Sequence, residues 1–382
     1  MNSPFRIALL TYSTKPRGSV IHTLELAEAF EQLGHHVCLY ALDKDGKGFD
    51  RPIHWDYKLV PAQPIAGDTD SLIRQRIQEF VDYLGNGHLI DHPYDYYHAQ
   101  DCISANALAI LRQRNQIPHF IRTVHHIEDF KSPYLQECQE RSIRDPDLCL
   151  CVSHYWQTEL QNRYQIYAPR VINGVNRNRF SRSSEGSEWL LKQQLRLTGY
   201  PIYLTIGGIE PRKNSIALLQ AFLQVLDHYP QAQLVIAGGA TLFDYQDYRD
   251  AFFKIVEQSN LTKQSLILPG VIPDADLPTL YRSADAFVFP SVKEGWGLVV
   301  LEAIASDLPV ITSNQPPFTE FLTSETALLI EPNSAAIAQA MLTITQAEVV
   351  HHLTQHRASI CSRYTWEASA KMHISCYQTL QL

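Results

Sequence analysis

The stretch AFVFPSVKEGWGLVVLE, residues 286–302, decides the fold of this chain. Its first six residues form an apolar run that is typical of a buried strand. Gly295 and Gly297 are poor helix formers, so the segment after that run does not begin as a helix. We predict a strand, a loop with Glu294 at its tip, and a helix that begins near Gly297 and carries Glu302 in its second turn. Two carboxylates placed in this way would flank any ligand that docks at the N-terminus of that helix.

The length and composition of the chain bound the class of protein. At 382 residues it is too long for one typical hydrophobic core, so we expect two domains. Apolar residues make up 45% and charged residues 19%, as in ordinary globular proteins. The net charge of −8, without a run of lysine or arginine, argues against wholesale binding to nucleic acid. The net charge does not argue against a local basic pocket for a phosphorylated small molecule.

No segment is expected to cross a membrane or to direct export. The apolar run at 5–13 is too short for a signal peptide, and no later stretch approaches the length of a membrane span. The seven cysteines are scattered without CxxC spacing, which is typical of reduced thiols in a cytoplasmic protein. The segment 71–85 has two arginines against Glu79 and Asp82 and is a poor basic amphipathic helix. We therefore expect a soluble protein, with peripheral membrane contact left open.

Strand and helix patterns alternate in two similar halves of the chain. In the first half, the strand pattern at 5–13 is followed by the polar loop 14–19 and by a helical pattern that ends at Gly34. Further on, RVINGV at 170–175 is interpreted as another strand. In the second half, the strand pattern at 201–209 is again followed by a polar loop and a helix. Because the strands are near-continuous apolar runs, we expect parallel sheets covered on both faces.

The predicted fold class is therefore α/β, with two Rossmann-like, doubly wound parallel-sheet domains that face each other across a cleft. The first predicted domain spans residues 1–180 and the second spans residues 195–363, with the most linker-like segment at 181–194. In such sheets ligands bind beyond the carboxyl ends of the strands, so the loops at those ends are the candidate binding loops.

Two of these loops belong to the first half. The loop 14–19 lacks G-x-G-x-x-G, which argues against a nicotinamide or flavin dinucleotide site. Gly18 either lets a ligand approach a helix N-terminus or simply forms a turn. The strand that ends at His125 places an imidazole at the cleft, where a polar contact to substrate and a solvated loop histidine are both open. A metal site is disfavoured because the adjacent His126 fits no standard ligand spacing.

The loop 207–214 of the second half combines glycines with two cations. Arg212 and Lys213 precede a predicted helix N-terminus, where a cation opposes the helix dipole, so a bound anion would explain them. Two solvated surface cations are the alternative. A diphosphate held by Lys213 would leave Glu302 to accept hydrogen bonds from vicinal hydroxyls, as on a ribose, and Glu294 to face a second polyol. These residues favour a nucleotide-sugar site.

The same segments resemble those of one enzyme family. KEGWGLVVLEAIASDLPVITS at 293–313 resembles the E-x7-E segment of retaining GT-B glycosyltransferases, specifically family 4. GGIEPRKN at 207–214 resembles the G-R-x-x-x-x-K-G loop of that family, and TVHH at 123–126 resembles its T-x-H strand end. The likeness extends over nearly the whole chain through VINGVNRNRF at 171–180, LPGVIPDADLPTLYRSADAFVFPS at 268–291 and TWEASA at 365–370.

The resemblance implies a GT-B fold and a retaining, metal-independent glycosyltransferase of the hexosyltransferase class. Its donor would be a nucleoside-diphosphate sugar, with a UDP-sugar favoured, and it would need no cofactor. The acceptor would be a small molecule, a lipid or a glycan that the sequence does not identify. The C-terminal helix, in residues 364–382, would pack back on the N-terminal, acceptor-binding domain.

The resemblance also assigns roles to individual residues. Lys213 would bind the donor diphosphate, Glu302 the ribose and Glu294 the hydroxyls of the donor sugar. His125 would lie beside that sugar at the reacting centre, and Gly18 would line the phosphate. The implied catalytic residues are His125, Glu294 and Lys213. The implied donor-binding residues are Gly18, Gly208, Arg212, Lys213, Glu294, Gly295, Gly297, Leu298, Val299 and Glu302.

The chain departs from the family pattern at several positions. The phosphate-binding arginine of the family aligns with Gly208, and we expect Arg212 to replace it. Asp307 stands where A-x-G-x-P-V has its glycine, and Asn176 replaces the aspartate of N-G-V-D. Both of these changes are expected to adjust turns without touching the chemistry.

Several further readings stay open at this point. The D-x-D sequences at 43–45, 145–147 and 274–276 are not expected to hold a metal, and Asp276, in the last of them, is expected to cap a helix. His98 and Asp101 could touch an acceptor at the end of a strand, while the tyrosines beside them are expected to pack. The alternatives to glycosyl transfer are a GT-B-fold epimerase, a disaccharide phosphorylase, a dinucleotide oxidoreductase and a catalytically impaired nucleotide-sugar binder.

Overall fold

The computed structural model describes residues 4–65, 67–89, 93–183, 186–239, 245–259 and 261–380. The chain divides into two compact units, one formed by Met1–Gly174 with Tyr364–Leu382 and the other by Val175–Arg363. The segment predicted to be most linker-like, 181–194, overlaps the helix Glu188–Leu195 of the second unit. Residues 184 and 185 of that segment, and the outer ends of the predicted domains at residues 1 and 382, lie outside the described residues.

The first unit is built on a six-stranded parallel sheet. Its strands are β1 Arg6–Thr11, β2 His36–Asp43, β3 Asp56–Pro61, β4 Tyr96–Ala99, β5 Ile121–Val124 and β6 Leu148–Cys151. The strands pair in the order β3-β2-β1-β4-β5-β6. The accompanying helices are α1 Gly18–Gln32, α2 Thr69–Tyr83 with a π-helical turn at Leu84–His88, α3 Cys102–Gln113, α4 Pro133–Arg144 and α5 His154–Tyr164.

The central strands of this sheet are buried on both faces. Ala8 and Leu10 of β1 belong to the core cluster that also holds Tyr40 of β2. Ile7 and Leu9, which point to the opposite face, are also fully buried. Fully burying one such side chain contributes about 1.5–3 kcal/mol, so a continuous apolar strand is stable only between two covering layers. This is why the strands of the sequence lack a polar face.

The second unit repeats this architecture. Its strands are β7 Ile202–Ile206, β8 Gln233–Ala237, β9 Leu266–Gly270, β10 Ala286–Phe289, β11 Val310–Ser313 and β12 Leu328–Ile330, in the parallel order β12-β11-β10-β7-β8-β9. Its helices are α6 Glu188–Leu195, α7 Ser215–Leu226, α8 Gln246–Gln258, α9 Leu277–Arg282, α10 Leu298–Ala305, α11 Ser334–Thr343, α12 Ala347–Thr354 and α13 Arg357–Arg363. Short 3₁₀ helices cover Pro211–Lys213, Asp274–Asp276 and Phe318–Glu320.

Side-chain capping defines the start of some helices but not of others. The Asp101 carboxylate accepts a hydrogen bond from the Ser104 backbone N–H at 2.8 Å and so caps α3. Asp276 is the N-cap residue of α9, as predicted, although its side chain makes no capping hydrogen bond. The residue already has helical backbone angles because the preceding 3₁₀ helix runs directly into α9.

The last helix, α14 Trp366–Tyr377, returns the chain to the first unit, where it packs against α1. The segment 170–175, predicted to be a strand, forms only a single bridge between Arg170 and Cys151. Its apolar residues are buried because the backbone runs beneath the start of α14. A Cβ atom at Gly174 would collide with the backbone of Trp366.

Candidate functional site

The two candidate loops of the second unit meet where the strand order of its sheet reverses. β7 and β10 are neighbours, but the strands that follow them in sequence lie on opposite sides. The loops 207–214 and 290–297 therefore leave the same carboxyl edge at adjacent positions. Open parallel sheets bind their ligands at this reversal point.

Glu294 lies at the centre of an ion-pair cluster between these loops. Its Oε1 atom accepts hydrogen bonds from Lys213 Nζ at 2.6 Å and from Arg212 Nη1 at 3.0 Å. Ser291 Oγ lies 2.8 Å from the same oxygen, and the Val292 N–H donates to the carbonyl of Arg212 at 2.8 Å. Glu294 lies in the loop between β10 and α10, as predicted, and its side chain is only 10% exposed because two cations hold it inward.

Burial and charge shift the pKa values of this cluster. Burial lowers the pKa of the Lys213 ammonium to about 8, although the Glu294 carboxylate opposes that shift. Burial alone would raise the pKa of Glu294, but Lys213 and Arg212 outweigh burial and hold it below its usual value. Arg212 Nε also lies 2.9 Å from an oxygen of Glu210. An anionic ligand would compete with these carboxylates for the two cations.

The backbone beneath Lys213 is packed too tightly for larger residues. A Cβ atom at Gly207 would lie 2.7 Å from Lys213 Cε, and Lys213 Nζ stands 4.3 Å from the centre of the Phe289 ring. Gly208 has a φ of +78°, and a Cβ there would lie 2.7 Å from the carbonyl oxygen of Gly239. The arginine that the family pattern would place at this position therefore does not fit this loop.

Glu302 occupies the inner side of α10. It is 7% exposed, and its Oε2 atom accepts a hydrogen bond from the Tyr281 hydroxyl at 2.8 Å. Tyr281, from α9, is fully buried, and burial together with Glu302 raises its pKa well above the usual range. Tyr281 therefore stays a neutral donor that orients the carboxylate. Sequence reasoning did not single it out, although it is the tyrosine of the quoted 268–291 segment.

The remaining predicted donor residues form the start of α10. Gly297 is its N-cap residue with a φ of +101°, and a Cβ there would lie 2.8 Å from the Phe318 ring. Leu298 and Val299 follow in the first turn, and both, like Gly295, are partly exposed. No side chain caps this helix, and the Val300 N–H donates to the Gly297 carbonyl at 3.0 Å, so an anion here would be bound by the N–H groups that precede Val300.

Gly18 and His125 belong to the first unit, where Gly18 follows β1 at the strand-order reversal and His125 follows β5, the neighbour of β4. Gly18 is the first residue of α1, where a Cβ atom would meet open space, so the position does not itself require glycine. His125 directly follows β5 and is partly exposed. Its Nε2 atom lies 3.1 Å from Oε1 of Gln100, a residue that the sequence did not point to.

His98 and Asp101 are less open to an acceptor than predicted. His98 is fully buried and lies within hydrogen-bond distance of Tyr377 and Thr123. Asp101 is 9% exposed and caps α3, and burial raises its pKa. The neighbouring tyrosines Tyr96 and Tyr97 are buried, as expected of packing residues.

Two departures from the family pattern are explained by backbone geometry. Asp307 has a φ of +68°, a conformation that favours glycine, and it pairs with Arg182 at 3.2 Å. The Asn176 side chain accepts from the N–H of Asn178 at 3.2 Å and from that of Arg179 at 3.3 Å. Both side chains therefore act on turns.

Neither a metal cluster nor a membrane-spanning helix is found in the described part of the chain. Over those residues, no three His, Cys, Asp or Glu side chains are grouped to hold a metal ion. In the D-x-D sequences, Asp45 pairs with Lys15 at 2.8 Å and Asp274 with Arg179 at 2.7 Å. No described helix is long and apolar enough to span a bilayer.

Two family models match the chain, one in each half. Glycosyltransferase Family 4 matches residues 16–179, and Glycosyl transferases group 1 matches residues 187–359. The chain belongs to the GT-B glycosyltransferases of family 4. It is therefore an enzyme of the hexosyltransferase class, as the resemblance in sequence indicated.

Individual relatives agree with this assignment. The glycosyltransferase is 29% identical over 290 residues to O-antigen chain mannosyltransferase B of Escherichia coli, covering 70% of this chain and 72% of the relative. It is 25% identical over 379 residues to phosphatidyl-myo-inositol mannosyltransferase of Mycobacterium leprae, covering 96% and 94%.

Solved structures of low identity share the fold. Sucrose-phosphate synthase from Thermosynechococcus elongatus superposes with a TM-score of 0.80 at 22% identity, covering 98% of this chain and 99% of that one. HepE of Anabaena in complex with UDP and glucose superposes with a TM-score of 0.78 at 19% identity, covering 99% and 100%. The predicted GT-B fold is confirmed.

Proposed function

We propose that this glycosyltransferase moves a hexosyl group, with retention of anomeric configuration, from a nucleoside-diphosphate sugar to a small-molecule, lipid or glycan acceptor. A UDP-sugar is the favoured donor. The observation that carries the proposal is the buried cluster of Lys213, Arg212 and Glu294 beside the uncapped N-terminus of α10.

The cluster supplies what a departing diphosphate requires. Lys213 and Arg212 provide two cations that at present share the Glu294 carboxylate. A diphosphate that takes over these donors and the first N–H groups of α10 would have its leaving-group charge neutralised. Fixed donors aimed at developing charge typically account for about 10²–10³ in rate. The proposed reaction therefore needs no metal ion.

The two carboxylates are assigned to the neutral parts of the donor. Glu302, oriented by Tyr281, accepts hydrogen bonds from the ribose hydroxyls. Glu294, once a diphosphate replaces it on Lys213, is free to accept from hydroxyls of the transferred sugar. A hydrogen bond to a charged group contributes about 1.5–3 kcal/mol, so each carboxylate favours a polyol over an apolar group.

His125 is proposed to contact the transferred sugar as a neutral group. Burial, followed by the influence of His22 and Arg122, lowers its pKa well below 6.5. An imidazole that stays neutral near pH 7 accepts a hydrogen bond from a hydroxyl without placing a positive charge beside the oxocarbenium-like centre. We assign attack and departure to the same face of that centre, which gives retention.

The relatives support the classes of donor and acceptor. HepE was solved with UDP and glucose, which favours UDP as the nucleotide. The two mannosyltransferases are named for an O-antigen chain and for phosphatidyl-myo-inositol, which favours a glycan or lipid acceptor.

Thermal unfolding with UDP, GDP, ADP or NAD, each with EDTA present, tests the donor site. A ligand at a hundred times its dissociation constant stabilises the protein by about 2.7 kcal/mol. One nucleoside diphosphate should raise the melting temperature of the wild type and of the exposed-site control Glu331→Ala, but not that of Glu302→Ala. Stabilisation by NAD alone, or by none of the four, contradicts the proposal. If the nucleotide that stabilises the protein in a parallel sample without EDTA fails to do so with EDTA, the proposal that no metal ion is needed is contradicted.

The stereochemical part is tested with UDP-glucose and no acceptor. Slow hydrolysis by a retaining enzyme releases α-glucose first, which proton NMR observes before the anomers equilibrate. Initial release of β-glucose would contradict retention. Formation of an epimeric UDP-sugar would favour the epimerase reading instead.

A further inference from the structure

His125 is one end of a buried polar chain that reaches the C-terminal helix. Its Nε2 atom lies 3.1 Å from the amide oxygen of Gln100, and the Gln100 amide nitrogen lies 3.2 and 3.4 Å from the two ring nitrogens of His98. His98 is itself held at both nitrogens, by the Tyr377 hydroxyl at 2.6 Å and by Thr123 Oγ1 at 2.8 Å. The chain thus connects β5, β4 and α14.

Every supporting member of this chain is shielded from water. Gln100, His98, Thr123 and Tyr377 are each 0% exposed. Hydrogen bonds between buried groups have no competing solvent, and an unmade one costs about 1–3 kcal/mol. The geometry at Gln100 is therefore strongly preferred over alternatives that leave its amide unbonded.

The direction of the amide determines which nitrogen of His125 carries a proton. An amide oxygen accepts only, so the His125 nitrogen that faces it, Nε2, must donate. The amide N–H₂ of Gln100 lies against the electron-rich ring of neutral His98, which favours this orientation over the flipped one. In a neutral imidazole, protonation of Nε2 leaves Nδ1 as an acceptor. His125 Nδ1 makes no hydrogen bond within the described residues, so this lone pair is available to a ligand.

The groups around His125 keep its ring neutral. Its hydrogen-bond partners therefore determine its tautomer and not its charge. Burial has the largest effect, and His22, Arg122, His126 and His98 each lower the pKa of His125 further. His22 contacts the ring edge-to-face with centroids 4.7 Å apart. No acidic side chain opposes them among the causes of this shift.

We propose that Gln100, supported by His98 and by Tyr377 of α14, is a positioning residue that holds His125 as the Nε2–H tautomer and presents Nδ1 to the transferred sugar as a hydrogen-bond acceptor. This inference rests on the role of His125 in the proposed function. In this proposal α14 contributes to the position of His125, because the chain returns to the first unit and there places the Tyr377 hydroxyl within hydrogen-bond distance of His98.

Substitutions of the hydrogen-bonded residues distinguish a role in positioning His125 from a role in packing alone. Gln100→Leu removes the acceptor that fixes the tautomer, and Tyr377→Phe removes only the hydroxyl that holds His98. The matched control is Tyr96→Phe, because Tyr96 is also buried and its ring centroid lies 4.8 Å from that of Tyr377. Among the described residues, its hydroxyl makes no hydrogen bond. Groups that orient an imidazole typically change activity about 10–100-fold when removed.

The test measures two quantities on the full chain. In Gln100→Leu, kcat for UDP release from UDP-glucose should fall about tenfold or more, while KM stays nearly unchanged. In Tyr377→Phe, kcat should fall by a smaller factor. Tyr96→Phe should match the wild type. Nitrogen NMR of ¹⁵N-histidine-labelled protein, with His125 assigned by its loss in His125→Ala, should show protonated Nε2 in the wild type and a mixture of tautomers in Gln100→Leu.

Gln100→Glu provides a second test, in which the tautomer of His125 is kept and its pKa is changed. It keeps the acceptor and the tautomer, but its carboxylate should raise the pKa of His125 and move the acidic limb of the pH profile upward. An unshifted profile would contradict the contact.

The outcomes distinguish this inference from the function beneath it. If His125→Ala retains the wild-type rate, the proposed role of His125 has failed. If His125→Ala is inactive while Gln100→Leu behaves like Tyr96→Phe in both rate and tautomer, the positioning role is overturned and the proposed function stands.

Discussion

The two units share one strand order but carry opposite chemistry at the point where that order reverses. In the second unit the reversal holds charges, with Lys213, Arg212 and Glu294 joined within 3.0 Å. In the first unit the loops at the reversal also carry Lys15, Arg17 and Asp101, but the group that His125 contacts there is the neutral Gln100 amide. Topology therefore fixes where a site lies, while residue type decides what it binds. Charge suits the diphosphate, and neutral acceptors suit the sugar.

The largest expected effect tests whether the charged reversal point is the donor site. Lys213→Met should lower UDP release from UDP-glucose by about 10²–10³, since it removes the cation on the leaving group and leaves Glu294 with one cation fewer. The matched control, Lys254→Met, changes an exposed lysine of α8 and should leave the rate unchanged. Equal rates for both variants would remove the distinction between the two units.

A second prediction concerns the loop that holds Lys213. Gly208→Ala should destabilise the protein by about 1–3 kcal/mol more than Gly270→Ala in urea unfolding, because added atoms in a packed region force the backbone to shift. Gly270 is the matched control, with a φ of +76° against +78° for Gly208 but open space around its Cβ.

The corresponding functional test is Gly208→Arg, which restores the residue of the family pattern. It should not improve donor affinity, since the side chain would start from a clash with Gly239. Tighter UDP binding by this variant in calorimetry would show that the loop rearranges to accommodate the arginine.

Tyr281→Phe should lower the affinity for the donor nucleotide by a smaller factor. Loss of the hydroxyl leaves Glu302 without one orienting hydrogen bond, so UDP affinity should fall about tenfold, or about 1.4 kcal/mol. Tyr203→Phe is the control, since this equally buried tyrosine donates to the Met341 carbonyl in the same unit. If both variants bind UDP alike in calorimetry, Tyr281 does not orient Glu302.

The smallest expected effect is the pH dependence of UDP affinity. The pKa of Lys213 is lowered to about 8, so the free enzyme loses this charge as pH rises through that value. An anion binds the protonated form, and the dissociation constant should therefore rise above pH 8 by less than tenfold per unit. Lys213→Arg should remove the dependence, because guanidinium stays protonated.

The first unit makes the opposite pH prediction. The pKa of His125 lies well below 6.5, so its titration should not change UDP affinity near neutral pH. A step in wild-type affinity between pH 6 and pH 7 that His125→Ala removes would contradict the contrast between the two units.

Much of the proposed donor site was predictable because its residues are close in sequence to strand ends. The apolar runs before Lys213 and Glu294 identified two parallel strands, and loops at their carboxyl ends must share one edge of the sheet. Glu302 followed from its place in the helix after Gly297. Local patterns suffice where a strand, its loop and its helix are contiguous.

Tertiary contacts explain one strand that was wrongly predicted and two residue pairs that local patterns could not predict. Segment 170–175 has a strand-like composition, yet Gly174 lies under the backbone of Trp366 near the other end of the chain, and no strand forms. Tyr281 orients a carboxylate 21 residues away, and Gln100 contacts a histidine 25 residues away. The two residues of each pair lie on different elements, so no helical or strand period relates them and nothing in the sequence marks the pair.

The sequence by itself therefore determined the fold class, the family and the charged residues of the donor loops, since strand periodicity and loop position are local properties. Only the tertiary structure showed that Glu294 is drawn inward by two cations, that Gly208 has no room for an arginine, and that α14 supports His125 through Gln100 and His98. These features depend on burial and on distances between side chains that are remote in sequence, and both arise only when the sheets and their helices close around a core.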